Sequence, residues 1–156
     1  MNKTATRGDK MRLANITILT LLSVLILGGC GGGGGGSTPA SKVTAAISTQ
    51  ITGSNAVSTI HINGATSPII YGFEVTVNFP AGATFGSATA IGVNNGALIA
   101  SNPGQGSVLI VSAGSTGFGS GDVLSVNFTN VANTVQATDF TLTGFAAKDS
   151  NGVLIP

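Results

Sequence analysis

The sequence predicts an all-β domain, an antiparallel sandwich or barrel of about nine short strands over residues 42–156. Three observations predict it. Apolar and polar residues alternate with a period of two, the pattern of a strand with one face in a core and the other in water. Val, Ile, Thr, Ala, Phe and Gly dominate the region, a composition that suits strands and tight turns. Glycine- and asparagine-rich turn signals interrupt it at short intervals, and no stretch carries a helical period with caps.

The elements follow in order. A run over residues 43–51 leads through the turn signal Gly53-Ser54-Asn55 into a second run, 56–62, which Asn63-Gly64 closes. The clearest alternation spans 71–79. There Tyr71, Phe73, Val75, Val77 and Phe79 are expected on the core face, and Gly72, Glu74, Thr76 and Asn78 on the polar face. Pro80-Ala81-Gly82 stops that strand. Runs at 84–91, 97–100 and 107–113 follow, separated by turn signals at 94–96 and 102–106, with another at 117–121. Residues 123–129 repeat the alternation with Leu124, Val126 and Phe128 inward. Residues 140–142 and, after Ser150-Asn151-Gly152, residues 153–155 complete the set. No solenoid-type repeat is present.

Charge is sparse and unevenly placed. Four of the six cations, Lys3, Arg7, Lys10 and Arg12, precede residue 13. Beyond Cys30 the charged residues are Lys42, Glu74, Asp122, Asp139, Lys148 and Asp149, two cations against four carboxylates. Such a domain has no basic patch with which to neutralise phosphates, so nucleic acid is not an expected partner. The single cysteine excludes an internal disulfide, and the fold must rest on its core. A domain the size of residues 42–156 buries roughly two-thirds of its unfolded surface and needs no staple.

The start of the chain carries an address. Residues 1–13 are polar and basic, and residues 16–27 are almost wholly apolar, the two parts of an export signal. Either Met1 or Met11 serves as a start, since residues 11–29 contain a complete signal by themselves. The apolar run is short of the ~20 residues of a comfortable membrane span. It ends Leu27-Gly28-Gly29-Cys30, which resembles the lipobox of bacterial lipoproteins. The resemblance implies cleavage after residue 29, a diacylglycerol thioether on Cys30 and acylation of the new amino terminus. Residues 1–29 are thus expected to be a signal peptide. Several acyl chains, at ~0.8 kcal/mol per buried methylene, anchor far more firmly than one. Gly31 is not the aspartate that the lipoprotein family associates with inner-membrane retention, so the expected location is the cell envelope, at the outer membrane of a Gram-negative cell. Six glycines at 31–36 and a Ser-Thr-Pro-Ala-Ser stretch make residues 30–41 a flexible tether with a reach on the order of 15–20 Å. A phosphate-binding loop would need a preceding strand, a following helix and a Lys-Ser/Thr pair, none of which flanks these glycines.

Groups for catalysis are few. His61 is the only histidine, in phase with Val57 and Thr59 on a strand, and with no second histidine and no free cysteine a zinc site is not expected. No G-x-S-x-G nucleophile turn is found. Glu74 lies on a polar strand face, Asp122 opens a strand, Asp139 precedes Phe140 and Asp149 starts a turn. A glycosidase needs two carboxyls at a set separation in a cleft, usually with aromatic rings, and this chain has no Trp and one Tyr. Asp149-Ser150-Asn151-Gly152 looks like a fragment of a calcium loop but lacks the further acidic ligands, and it reads as a β-turn. No catalytic residue, metal or cofactor is expected.

Three segments in order, Gly72–Phe79, Gly119-Ser120-Gly121-Asp122-Val123-Leu124 and Phe140 through Gly152, resemble the cohesin domains, which are related in fold to several carbohydrate-binding modules. The resemblance covers residues 42–156. It implies a nine-stranded jelly-roll β-sandwich and a non-catalytic role, holding a dockerin module that carries duplicated calcium loops. It also implies that the outer face of the strand holding Glu74, Thr76 and Asn78 contacts the partner. The chain departs from the cohesin pattern in two places: Phe79 passes directly to Pro80 without an aspartate, and Gly121-Asp122-Val123 lacks a glycine after the acid. The expectation is a lipid-anchored cohesin-like module for an exported, dockerin-bearing protein. The alternatives are a carbohydrate-binding module for envelope or extracellular polysaccharide and a structural lipoprotein of a surface assembly.

Overall fold

The computed structural model describes residues 42–65 and 69–156; Cys30, the expected signal peptide over residues 1–29 and the expected tether over residues 30–41 lie outside the described residues. The described chain forms nine strands: β1 (Thr44–Thr52), β2 (Asn55–Asn63), β3 (Ile70–Asn78), β4 (Thr84–Ala90), β5 (Leu98–Pro103), β6 (Ser107–Phe118), β7 (Gly121–Thr129), β8 (Thr141–Lys148) and β9 (Leu154–Ile155). Two single-turn 3-10 helices, Gly92–Asn94 and Ala137–Asp139, sit in the connections. One sheet has the order β1-β2-β7-β4 and the other β5-β6-β3-β8-β9. Every pairing is antiparallel. Only β1–β2, β5–β6 and β8–β9 are hairpins; each remaining connection passes from one sheet to the other. The result is a jelly-roll sandwich with β3 and β7 at the centres of their sheets.

The core lies between the inner faces and follows the alternation. Phe73, Val75, Val77 and Phe79 from β3 and its end meet Ile60 and Ile62 from β2 and Leu124, Val126 and Phe128 from β7. Phe128 is the hub of an aromatic cluster, with ring centroids 5.1 Å from Phe79, 5.1 Å from Phe140 and 6.3 Å from Phe85. Burying a side chain of this kind contributes about 1.5–3 kcal/mol. Of the buried polar side chains, Ser58 Oγ lies 2.7 Å from Thr49 Oγ1, and Asn94 donates to Ser112 Oγ at 2.9 Å and to the Val123 carbonyl at 3.3 Å, while its own Oδ1 is left without a partner among the described residues. Core and strand pairings all fall within the compact unit Ser37–Pro156, which therefore carries what it needs to fold alone.

The structure differs from expectation in two ways, where paired strands differ in residue count and where a strand starts or stops. Opposite β2, β7 inserts one extra residue between the pairs Ile60–Leu124 and His61–Asp122, so Val123 and Leu124 are both fully buried. Tyr71 was expected on the core face and is only half-buried. The register breaks between Ile70 and Gly72, and Ile70 takes the core position. The turn expected at 117–121 begins later, because β6 continues to Phe118, whose ring packs edge-on against Phe73 at 6.1 Å. Phe140 precedes its strand: its N–H closes the 3-10 turn on the Ala137 carbonyl while its ring stays in the core. β5 runs on to Pro103, which an edge strand tolerates because the missing N–H needs no partner there.

Candidate partner-binding face

The outer surface of the five-stranded sheet is built around β3. Alternation turns Gly72, Glu74, Thr76 and Asn78 outward, each half-buried by neighbours on both sides. Register then fixes those neighbours. On β8, Lys148 stands opposite Gly72, Ala146 opposite Glu74, Thr143 opposite Thr76 and Thr141 opposite Asn78. On β6, Ala113, Val111, Leu109 and Ser107 stand opposite the same four residues. The face is therefore two-toned. Towards β8 it presents hydroxyl, amide and one ion pair; towards β5 and β6 it is mostly aliphatic, with Leu109 40 % and Leu98 77 % exposed, and carries Ser107 and Asn102 at one end.

The three residues singled out from the sequence lie together on this row, and two are already engaged. Asn78 Nδ2 donates to Thr143 Oγ1 at 3.2 Å and to Thr141 Oγ1 at 3.4 Å, a cross-strand ladder that holds the amide flat against the sheet. Glu74 Oε2 lies 4.0 Å from Lys148 Nζ, with side-chain exposures of 42 % and 24 %. A pair this long and this wet contributes no more than ~1 kcal/mol, so its chief effect is to leave the face nearly neutral. Thr76 sits between them, opposite Thr143 and Leu109, where the polar and aliphatic halves meet.

Two glycines shape this face. Between Glu74–Ala146 and Thr76–Thr143 the β8 side carries one residue more than β3, and Gly144 takes φ +62° there. The bulge sets Thr143 and Ala146 on either side of the kink; a Cβ at Gly144 would meet Thr76 Oγ1 at 3.8 Å, an ordinary contact, but the backbone there would be strained. At Gly72 the constraint is contact instead: a Cβ would stand 2.8 Å from the Ser112 carbonyl oxygen, so β6 can approach β3 only over a glycine. Sequence reasoning found the β3 row and missed Lys148, Thr141 and Thr143. Their place depends on register across the bulge. It also missed Leu109, because the continuous apolar stretch of residues 108–111 hides which side chains face out.

Other polar features lie apart from this row. The extra residue in β7 sets Asp122 opposite His61 on the outer face of the four-stranded sheet, and His61 Nδ1 lies 2.8 Å from Asp122 Oδ1 with both side chains about half exposed. Sequence spacing gave no sign of this pair, since it depends on the bulge. Asp139 accepts from the Gln136 N–H at 2.8 Å and closes a 3-10 helix. Asp149 Oδ1 accepts from the N–H groups of Asn151 at 2.8 Å and Val153 at 2.9 Å, which makes residues 149–152 a turn as read from the sequence. Each of the four described carboxylates thus has its own partner. A groove of about 660 Å³ opens at one end of the sandwich between the β3–β4 and β5–β6 turns, lined by Phe79, Phe85, Thr84, Pro103 and Gln105 among small residues.

No protein-family model matches the chain, and no curated protein matches it. Solved structures do. The chain is similar to the sixth cohesin of scaffoldin B from Acetivibrio cellulolyticus, solved with a dockerin: TM-score 0.59, 20 % identity, 72 % of this chain and 90 % of that one. It is similar to a cohesin module of a family 33 glycoside hydrolase from Clostridium perfringens: TM-score 0.58, 18 % identity, 76 % and 90 % covered. A non-cellulosomal cohesin from the archaeon Archaeoglobus fulgidus matches with TM-score 0.54 and 16 % identity over 72 % and 83 %. At these identities the likeness is one of fold, and the fold is cohesin-like.

Proposed function

We propose that this chain is a non-catalytic, lipid-anchored module that binds an exported protein of dockerin type through the outer face of β5-β6-β3-β8-β9. The observation that carries the reading is the row Glu74, Thr76, Asn78. It is outward, central in its sheet and flanked by Val111 and Leu109 on one side and by Thr143 and Thr141 on the other. Specific interfaces combine a desolvated apolar part with hydrogen-bonding groups held in fixed positions. The cohesin-like fold, and the dockerin bound to one of the similar cohesins, support that partner class.

The test is capture. The immobilised unit Ser37–Pro156 is exposed to the exported proteins of the source organism with calcium and then with chelator. A calcium-dependent partner carrying paired Asp-x-Asn-x-Asp loops supports the reading; consistent failure to retain such a protein removes it. The anchor is tested separately. Mass spectrometry of the membrane-extracted protein is expected to show a chain starting at Cys30 with diacylglycerol on its sulfur and an acylated amino terminus. An unmodified thiol there contradicts the lipoprotein assignment.

A further inference from the structure

The four edges of the sandwich are not alike. A strand edge offers unpaired N–H and C=O groups, and natural β proteins blunt such edges with bulges, proline, charge or brevity. β4 carries a register break between Phe85 and Ser87. β5 has six residues and ends on Pro103. β9 has two. β1 has none of these devices: its nine residues contain no charge, proline or glycine, and its register with β2 is unbroken from Thr44 to Thr52. Among the described residues β1 pairs with no strand but β2, and the further backbone bonds flank its two ends, from the Val43 N–H to the Pro156 carbonyl and from the Val131 N–H to the Ser54 carbonyl. Its core-facing row is also incompletely covered. Ala45, Ile47 and Ile51 pack on the core yet stay half-buried, whereas Ile60 and Ile62 on the neighbouring strand are fully buried.

We infer that β1 is a self-association edge, on which a second copy of this chain lays its own β1 antiparallel across a twofold axis. Two observations select a second copy. The strand is uncharged, so pairing with itself meets no like-charge repulsion, the usual barrier to such contacts. It is also self-complementary in pattern. Pairing centred on Ser48 sets Thr44 opposite Thr52 and Ala46 opposite Gln50, keeping the outward row outward and bringing the half-buried Ile47 and Ile51 of both copies onto one continuous core face. The contact is isologous and closes at two copies, joining two four-stranded sheets into one. It uses the sheet opposite the proposed partner-binding face and stands independently of that reading.

Sedimentation velocity on the unit Ser37–Pro156 between ~1 µM and ~1 mM, the range in which edge pairing of modest strength is visible, tests this. The expected result is a monomer–dimer equilibrium whose association constant falls at least tenfold in Ser48→Lys, which sets two ammonium groups against each other on the axis. Ser48 is exposed, so circular dichroism and the melting midpoint should not move. Ser48→Cys, the only cysteine in that unit, should form a disulfide-linked dimer under mild oxidation, because directly opposed Cα atoms lie within disulfide reach. A unit that stays monomeric across the range overturns the inference. So does a dimer that Ser48→Lys leaves intact and Ser48→Cys does not cross-link.

Discussion

Thr76 is the residue on which the binding account turns. It lies at the middle of the outward β3 row, where hydroxyl and aliphatic neighbours meet, and its side chain has no hydrogen-bond partner holding it in place among the described residues. Thr76→Arg adds bulk and charge to a nearly neutral face without entering the core. It should leave the fold intact and weaken partner capture at least tenfold, as a buried mismatch at the centre of an interface does. Two further residues separate face from fold. Gly144→Ala places a Cβ on a residue held at φ +62° and should cost about 1–2 kcal/mol in urea unfolding. It should also disturb binding, because the bulge it strains positions Thr143 beside Thr76. Phe128→Ala removes the hub of the aromatic cluster and should cost about 3–5 kcal/mol, a loss read as a lower denaturation midpoint.

At the scale of the element, alternation and register contribute different things. Alternation alone reveals that residues 71–79 form a strand, that Phe73, Val75 and Val77 go inward and that Glu74, Thr76 and Asn78 go outward, and the structure agrees on each. It also locates the nine strands, because turns at Gly53, Gly82, Gly96 and Gly152 are written in residue types that accept positive φ. What alternation cannot reveal is a mismatch in count between two strands. The extra residue that buries both Val123 and Leu124, the break that gives Ile70 the place expected of Tyr71, and the kink at Gly144 all depend on which partner stands opposite. The same limit explains the unforeseen His61–Asp122 pair and the unassigned β8 half of the face. Apolar stretches such as residues 108–111 are ambiguous for another reason: both faces of β6 are aliphatic there, one toward the core and one toward solvent.

At the scale of the molecule, the described domain is a cohesin-like sandwich with a nearly neutral sheet face turned outward. The fold was readable because every level of the described domain agrees: β-branched composition, period-two alternation, turn chemistry and an ordered resemblance across three segments. The β6 and β8 parts of the proposed face were not readable, because such a face is defined by side chains from several strands whose register is invisible in one dimension. The most direct measurement is a side-by-side capture by the unit Ser37–Pro156 in three forms: wild type, Thr76→Arg, and Thr89→Arg on the exposed outer side of the other sheet. The account predicts a calcium-dependent exported partner on wild type and Thr89→Arg, with recovery lost on Thr76→Arg. Equal recovery on all three forms, or loss only on Thr89→Arg, would contradict it and move the binding surface off β3.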